Sequence, residues 1–191
     1  MTVTPDGAID LVADLSEGHP VPTGLALDPE GGAYVANLTA IPYPNGAAKV
    51  LHISADGAVE EVWTGLTAVT GLALGPDGAL YAAELATNTT DAEPFLPPGT
   101  GRIVRQTGPD GLEPVVTDIL YPVNLRFDPE GTLYLATPAF AAGDGAGQGA
   151  LLKIDLASGT ALSLAGLGEL APSCQGGPGM AAGAAASPVA G

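Results

Sequence analysis

The chain has 191 residues, enough for one domain with a sizeable core, and its 46% hydrophobic content includes only 5% aromatics, so that core is aliphatic. Twenty-one Asp and Glu against five Lys and Arg give a net charge of −16, which excludes nucleic acid and anionic membranes as partners, since both need clustered cations. Every apolar run is cut by Gly, Pro or Asp short of the roughly 18 residues a membrane span needs, no basic or apolar leader follows Met1, and the single cysteine, Cys174, cannot form an internal disulfide.

The expectation is therefore a soluble acidic chain whose compartment is unassigned. Residues 2–4 and 8–13 flank Pro5-Asp6-Gly7, a turn between two short β-prone runs, and predict a hairpin. Residues 23–28 and 33–37 flank Pro29-Glu30-Gly31-Gly32 in the same way. After a polar loop at 38–47, residues 49–54 and 58–63 flank Ala55-Asp56-Gly57. That is one repeat of four antiparallel strands. The second repeat predicts strands at 69–74, 80–84, 102–106 and 112–117, with a longer loop at 85–101. The third predicts strands at 123–127, 132–136, 151–155 and 160–164, with a loop at 137–149. Beyond Ala165 the periodicity ends in a Gly/Ala/Pro/Ser-rich stretch that reads as a disordered tail.

The copies are close to verbatim. Thr23-Gly-Leu-Ala-Leu-Asp-Pro-Glu-Gly recurs as Thr70-Gly-Leu-Ala-Leu-Gly-Pro-Asp-Gly and as Val123-Asn-Leu-Arg-Phe-Asp-Pro-Glu-Gly, with Pro29, Pro76 and Pro129 spaced 47 and 53 residues apart. Four strands in each repeat of this length predict an all-β chain built as a β-propeller of four-stranded antiparallel blades. The blades are expected at 19–65, 66–119 and 120–166, after a partial blade at 1–18 and before the tail at 167–191. In Gly-Leu-Ala-Leu the leucines should face one neighbouring blade while Gly and Ala face the other. Three blades and a hairpin cannot close a ring that takes about four to eight. The chain is thus expected to be part of a longer protein, with a homodimer that closes the propeller as the alternative.

These repeats resemble NHL/SMP-30-type propellers and, more specifically, the C-terminal half of the ScyD/ScyE family. The resemblance covers about residues 2–156. It rests on Val21-Pro-Thr-Gly-Leu-Ala-Leu-Asp-Pro-Glu-Gly-Gly-Ala-Tyr-Val-Ala-Asn, on Pro98-Gly-Thr-Gly-Arg-Ile-Val-Arg and on Tyr121-Pro-Val-Asn-Leu-Arg-Phe. Asn124 and Arg126 depart from the usual Gly and Ala. The family implies no settled chemistry, and its full-length members often carry an export signal. The resemblance therefore implies a non-catalytic propeller that binds a small molecule or a protein. The alternative it implies is a metal-dependent lactonase or lyase of the SMP-30 or streptogramin lyase type.

No nucleophile elbow, P-loop, H-E-x-x-H or C-x-x-C is present, and the run Gly143–Gly149 opens no helix, so it reads as a loop. The second strands end on Asn37, Glu84 and Thr137, equivalent positions expected at one mouth of the central channel. Similarity to SMP-30-type lactonases makes Asn37 and Glu84 candidate ligands of a divalent cation such as Ca²⁺, which takes six to eight oxygen donors. Thr137 is a candidate channel residue. The competing reading is that all three cap strand ends. Arg126, where Ala26 and Ala73 stand, is expected to need a carboxylate, with Glu84 a candidate partner, or else to meet a ligand in the channel. His19 and His52 are expected in surface or loop positions, and Trp63 in packing on an outer strand.

Overall fold

A computed structural model describes residues 2–16, 18, 21–139, 149–156 and 161–165; the tail beyond 166, His19, Cys174 and most of the 143–149 run lie outside the described residues. All regular structure among the described residues is β-strand. A leading hairpin pairs β1 (Thr2–Val3) with β2 (Ile9–Asp10). The first blade runs β3 (Pro22–Leu27), β4 (Ala33–Asn37), β5 (Ala48–Ile53) and β6 (Val59–Leu66) in that spatial order. The second runs β7 (Val69–Leu74), β8 (Leu80–Glu84), β9 (Gly101–Gln106) and β10 (Leu112–Ile119). The third contains β11 (Asn124–Phe127), β12 (Leu133–Thr137) and β13 (Ala150–Ile154). Within the blades every strand pairs antiparallel with the next. The chain is a partial β-propeller.

One expectation is corrected. The stretch predicted as the fourth strand of the third blade, 160–164, supplies β14 (Leu162–Ser163), which lies parallel to β10 on the outer edge of the second blade. Leu164 N donates to Thr117 O at 3.0 Å and Ser163 Oγ bonds the Asp118 carboxylate, so a polar edge on β10 holds the segment there.

The Pro-acid-Gly turns close each first hairpin identically. Gly31, Gly78 and Gly131 donate to the carbonyls of Asp28, Gly75 and Asp128 at 2.9, 3.0 and 3.0 Å. Each of the three sits at φ between +76° and +97°, a region that only a residue without Cβ adopts freely.

The first strands β3, β7 and β11 lie side by side, and their alternation sets the blade spacing. A Cβ on Gly24 would stand 2.9 Å from Leu72 Cβ, and one on Gly71 would stand 2.9 Å from Asn124 Cα and 3.2 Å from Leu125 N. Gly and Ala of one blade therefore receive the leucine face of the next, as the sequence pattern requires. Two aliphatic clusters result. One fills the first junction around Trp63, Leu66, Leu72 and Val104, the other the second around Ile103, Leu125, Leu133 and Leu135. Threonines lock the inner ends: Thr23 Oγ1 donates to Val69 O and Thr70 Oγ1 to Pro122 O, both at 2.6 Å.

Because a Cβ on Gly71 would meet the Asn124–Leu125 backbone as well as Leu125 Cδ2 at 2.9 Å, Gly71→Ala is expected to cost about 1–3 kcal/mol in urea denaturation. Gly108→Ala, where a Cβ would meet nothing within 4 Å, is the control and should stay within about 0.5 kcal/mol.

Candidate functional site

The connection entering each first strand carries a non-glycine residue in the left-handed region: Val21 at φ 56°, Ala68 at 45° and Tyr121 at 46°. These occupy equivalent repeat positions, and such residues persist there only when neighbouring structure holds them. The ends of the second strands do the holding. Leu38 N donates to Val21 O at 3.0 Å and Leu85 N to Ala68 O at 2.9 Å. In the third blade Pro138 has no N–H, and Ala139 N reaches Tyr121 O instead, at 2.7 Å.

Asn37, Glu84 and Thr137 close the second strands at these points, and all three are buried. Asn37 Oδ1 accepts from Lys49 N at 2.8 Å. Glu84 Oε1 accepts from Thr67 N at 2.6 Å, while Oε2 is paired with Arg102 Nε. Thr137 Oγ1 donates to Leu120 O. Thr67 and Leu120 are equivalent linker residues, so Glu84 and Thr137 grip the same backbone point with opposite hydrogen-bond polarity. The three predicted residues are thus brought to one rim of the blades. Each ties strand end to linker or third strand.

Glu84 is fully buried, and burial pushes its carboxyl above the usual range, against the Arg102 guanidinium and the Thr67 amide, which favour the charged form. Arg102 comes from β9 and occupies the place Lys49 holds in β5. Arg126 is not the partner of Glu84: it is exposed on β11 and lines a shallow hollow of about 550 Å³ with Phe127, Asp128 and the Leu74–Pro76 turn, at the opposite end of the strands. The physical reason is strand position, since β11 and β8 place these side chains at opposite ends of their blades.

His52 is likewise not a surface or loop residue. It lies half-buried in β5, its Nε2 at 2.8 Å from Asp28 Oδ2 and its ring 4.7 Å from that of Tyr34. Backbone donation from Glu30 N, then the His52 contact, hold the Asp28 carboxyl below its ordinary range. The second blade repeats the unit: Tyr81 and Arg105 share a rung, and Arg105 Nε pairs with Asp77 at 2.6 Å. In the third blade Tyr134 faces Lys153, whose Nζ lies 5.8 Å from the ring centre. Aligning the three repeats exposes this Tyr–base rung directly in the sequence, a signal that motif searching passes over. Trp63 is fully buried on the outer strand, as expected, and its indole donates to Gly111 O in the second blade at 3.1 Å.

The loops after the second strands pack together above this rim. Asn45 exchanges hydrogen bonds of 3.0 and 3.1 Å with the Thr89 backbone, and Tyr121 Oη donates to Leu96 O at 3.0 Å. Among the described residues no group of three or more His, Cys, Asp or Glu is placed to hold a metal ion.

No protein-family model matches the sequence, and no curated protein matches it. Solved structures do resemble it in fold. The calcium-binding protein regucalcin from Agrobacterium tumefaciens shares 17% identity over 68% of this chain and 43% of its own, with a TM-score of 0.47. A gluconolactonase from Xanthomonas campestris shares 15% over 63% and 36%, with a TM-score of 0.46. Virginiamycin B lyase from Staphylococcus aureus shares 18% over 70% and 41%, with a TM-score of 0.40. The chain spans less than half the length of each.

Proposed function

We propose that the chain is a ligand-binding segment of a ScyD/ScyE-type propeller with no chemistry of its own, and that its small-molecule or protein ligand meets the rim built by the second-strand ends and their loops. One observation carries the reading. The polar groups at the rim are spent on structure: both Glu84 oxygens are taken by Thr67 N and Arg102, and Asn37 Oδ1 by Lys49 N. With both Glu84 oxygens engaged, by Thr67 N and by the Arg102 guanidinium, the carboxylate is not free to ligate Ca²⁺ as it is placed.

A second reading is a metal-dependent lactonase or lyase. It is favoured by the middle rung, which uses a fully buried carboxylate where neutral Asn37 and Thr137 suffice at the flanking rungs. A thermal-unfolding titration with CaCl₂ and with EDTA, run beside a lactone hydrolysis assay, separates the two. For a binding module the midpoint stays unchanged and no hydrolysis exceeds that of Glu84→Gln. A midpoint raised by Ca²⁺, with turnover abolished in Glu84→Gln, would replace the first reading by the second.

A further inference from the structure

The loops of the first two blades are clasped above the rim through one side chain. Asn45, in the loop after β4, gives both ends of its amide to the backbone of Thr89 in the loop after β8. Its Nδ2 donates to Thr89 O at 3.0 Å, and its Oδ1 accepts from Thr89 N at 3.1 Å. Gly46 N adds a bond to Thr67 Oγ1 at 2.9 Å, and Thr89 Oγ1 donates to Tyr43 O at 2.6 Å. Asn45 and Gly46 are nonetheless exposed to solvent.

The turn itself does not need the asparagine. It closes with Ala47 N on Pro44 O at 3.2 Å and with Gly46 at φ 73°. When the repeats are aligned on Lys49 and Arg102, the second blade has Pro98-Gly99 in place of Asn45-Gly46, with Gly99 at φ 71°. Proline presets this kind of turn and is chemically inert there. Among Asn37, Asn45, Asn88 and Asn124, Asn45 alone precedes a glycine. With no side chain on Gly46, nothing hinders attack of its backbone nitrogen on the Asn45 amide carbon.

The clasp also holds the loop in a conformation that carries cost. Thr39 is β-branched and sits at φ 71°, and Tyr43 sits at φ 62°, in a region unfavourable to both. The Thr39 hydroxyl is buried with no hydrogen-bond partner among the described residues, whereas Ala86 and Ala139 at the same repeat position have no hydroxyl to satisfy. Opening the loop gives Thr39 water and frees both backbone angles.

We propose that Asn45 is a site of spontaneous deamidation, gated by the clasp, and that its product leaves the rim loop released. Gly46 N gives up its proton to solvent base and attacks Asn45 Cγ. The new N–Cγ bond closes a succinimide, the Cγ–Nδ2 bond breaks, and the nitrogen takes a proton and leaves as ammonia. Water then adds to either imide carbonyl and opens the ring to aspartate or isoaspartate, so one water is consumed for each ammonia released. Ring closure is held back while Gly46 N–H is donated to Thr67 and the amide is pinned on Thr89, so its rate follows how often the clasp opens. Either product has lost the donor to Thr89 O and sets a carboxylate against that carbonyl. Isoaspartate also lengthens the turn by one backbone carbon. The inference concerns the covalent state of the loop and is independent of whether the rim binds or catalyses.

The 191-residue chain is incubated at mildly alkaline pH, folded and in urea, and conversion at Asn45 is followed by peptide mapping with mass spectrometry. In urea Asn45 should convert faster than the other asparagines, and folding should slow it at least about tenfold. Thr67→Val removes the acceptor of Gly46 N, and Thr89→Ala removes the bond to Tyr43 O. Each should speed the folded-state reaction at least about threefold and leave the rate in urea unchanged, because the Asn-Gly chemistry is the same. In converted wild type and in Asn45→Asp, hydrogen exchange at Gly46 N–H should quicken at least about threefold. No conversion at Asn45 overturns the site. Equal wild-type rates folded and in urea, a comparison that needs no variant, overturn the gate, as do folded variants that convert no faster. Unchanged Gly46 exchange after conversion overturns the release.

Discussion

Arg102→Ala is expected to lower the free energy of unfolding by about 3–5 kcal/mol at neutral pH, the cost of stranding a buried charge. Glu84 is fully buried, and Arg102 is its only cationic partner among the described residues. Losing the guanidinium leaves Thr67 N as the one group among the described residues that favours the carboxylate. Burial already raises this carboxyl's pKa above its unfolded value. Between the two values the folded state binds more protons than the unfolded one, so stability declines as pH rises through that window. Removing Arg102 extends the window upward. The penalty should therefore be largest at pH 7 and shrink on acidification toward the ordinary Glu range of about 4.3. Urea denaturation at pH 7 and pH 5 reads this directly. An equal cost at both pH values would show that the ion pair does not hold Glu84 ionised. Arg102→Lys, which keeps the charge but loses the planar fork, should recover part of the loss.

Trp63→Ala carries a cost of similar size, about 3–5 kcal/mol, from the cavity left by the largest fully buried side chain. Its location makes the loss more than local. Trp63 sits on the outer strand of the first blade, yet its indole bonds Gly111 O in the second, beside Thr64 N on Pro109 O at 2.8 Å and Gln106 Nε2 on Val62 O at 2.9 Å. These bonds, with Thr64 Oγ1 also reaching Pro109 O at 3.5 Å, tie the outer edge of the first junction. Trp63→Phe retains most of the volume and removes only the indole hydrogen bond to Gly111 O, which still accepts from Thr107 N at 3.1 Å, so about 0.5–1.5 kcal/mol is expected. Since Trp63 is the one tryptophan, the alanine variant must be followed by circular dichroism. A loss under 1 kcal/mol for Trp63→Ala would mean the two blades do not unfold together.

The blade plan was legible because it is written in local terms. Turn chemistry at Pro-acid-Gly, the two-residue alternation of Gly-Leu-Ala-Leu and near-verbatim recurrence each act over a few residues, and they placed the strands to within about two or three positions. The candidate rim was legible as positions but not as chemistry. Equivalence of Asn37, Glu84 and Thr137 follows from counting along the repeats. Their partners do not, because Thr67, Arg102 and Leu120 reach them through the fold. The sequence makes Glu84 only a candidate partner for Arg126, and Arg102 holds that carboxylate instead, because pairing depends on which end of a strand a side chain leaves from. His52 looked like a surface or loop residue because no motif surrounds it, although Tyr34, Tyr81 and Tyr134 with His52, Arg105 and Lys153 repeat once per blade.

The sequence by itself determined that this protein is a stack of antiparallel blades, since hydrophobic alternation and turn residues act within one repeat. Only the tertiary structure decided what the polar positions are for. It sent β14 to the second blade, turned the strand-end residues into tethers for left-handed linkers, and placed Arg126 away from Glu84. Each of these depends on which side chains meet across blades. Burial sets the charge preference of Glu84, and the neighbouring strand and the linker at Thr67 supply its partners.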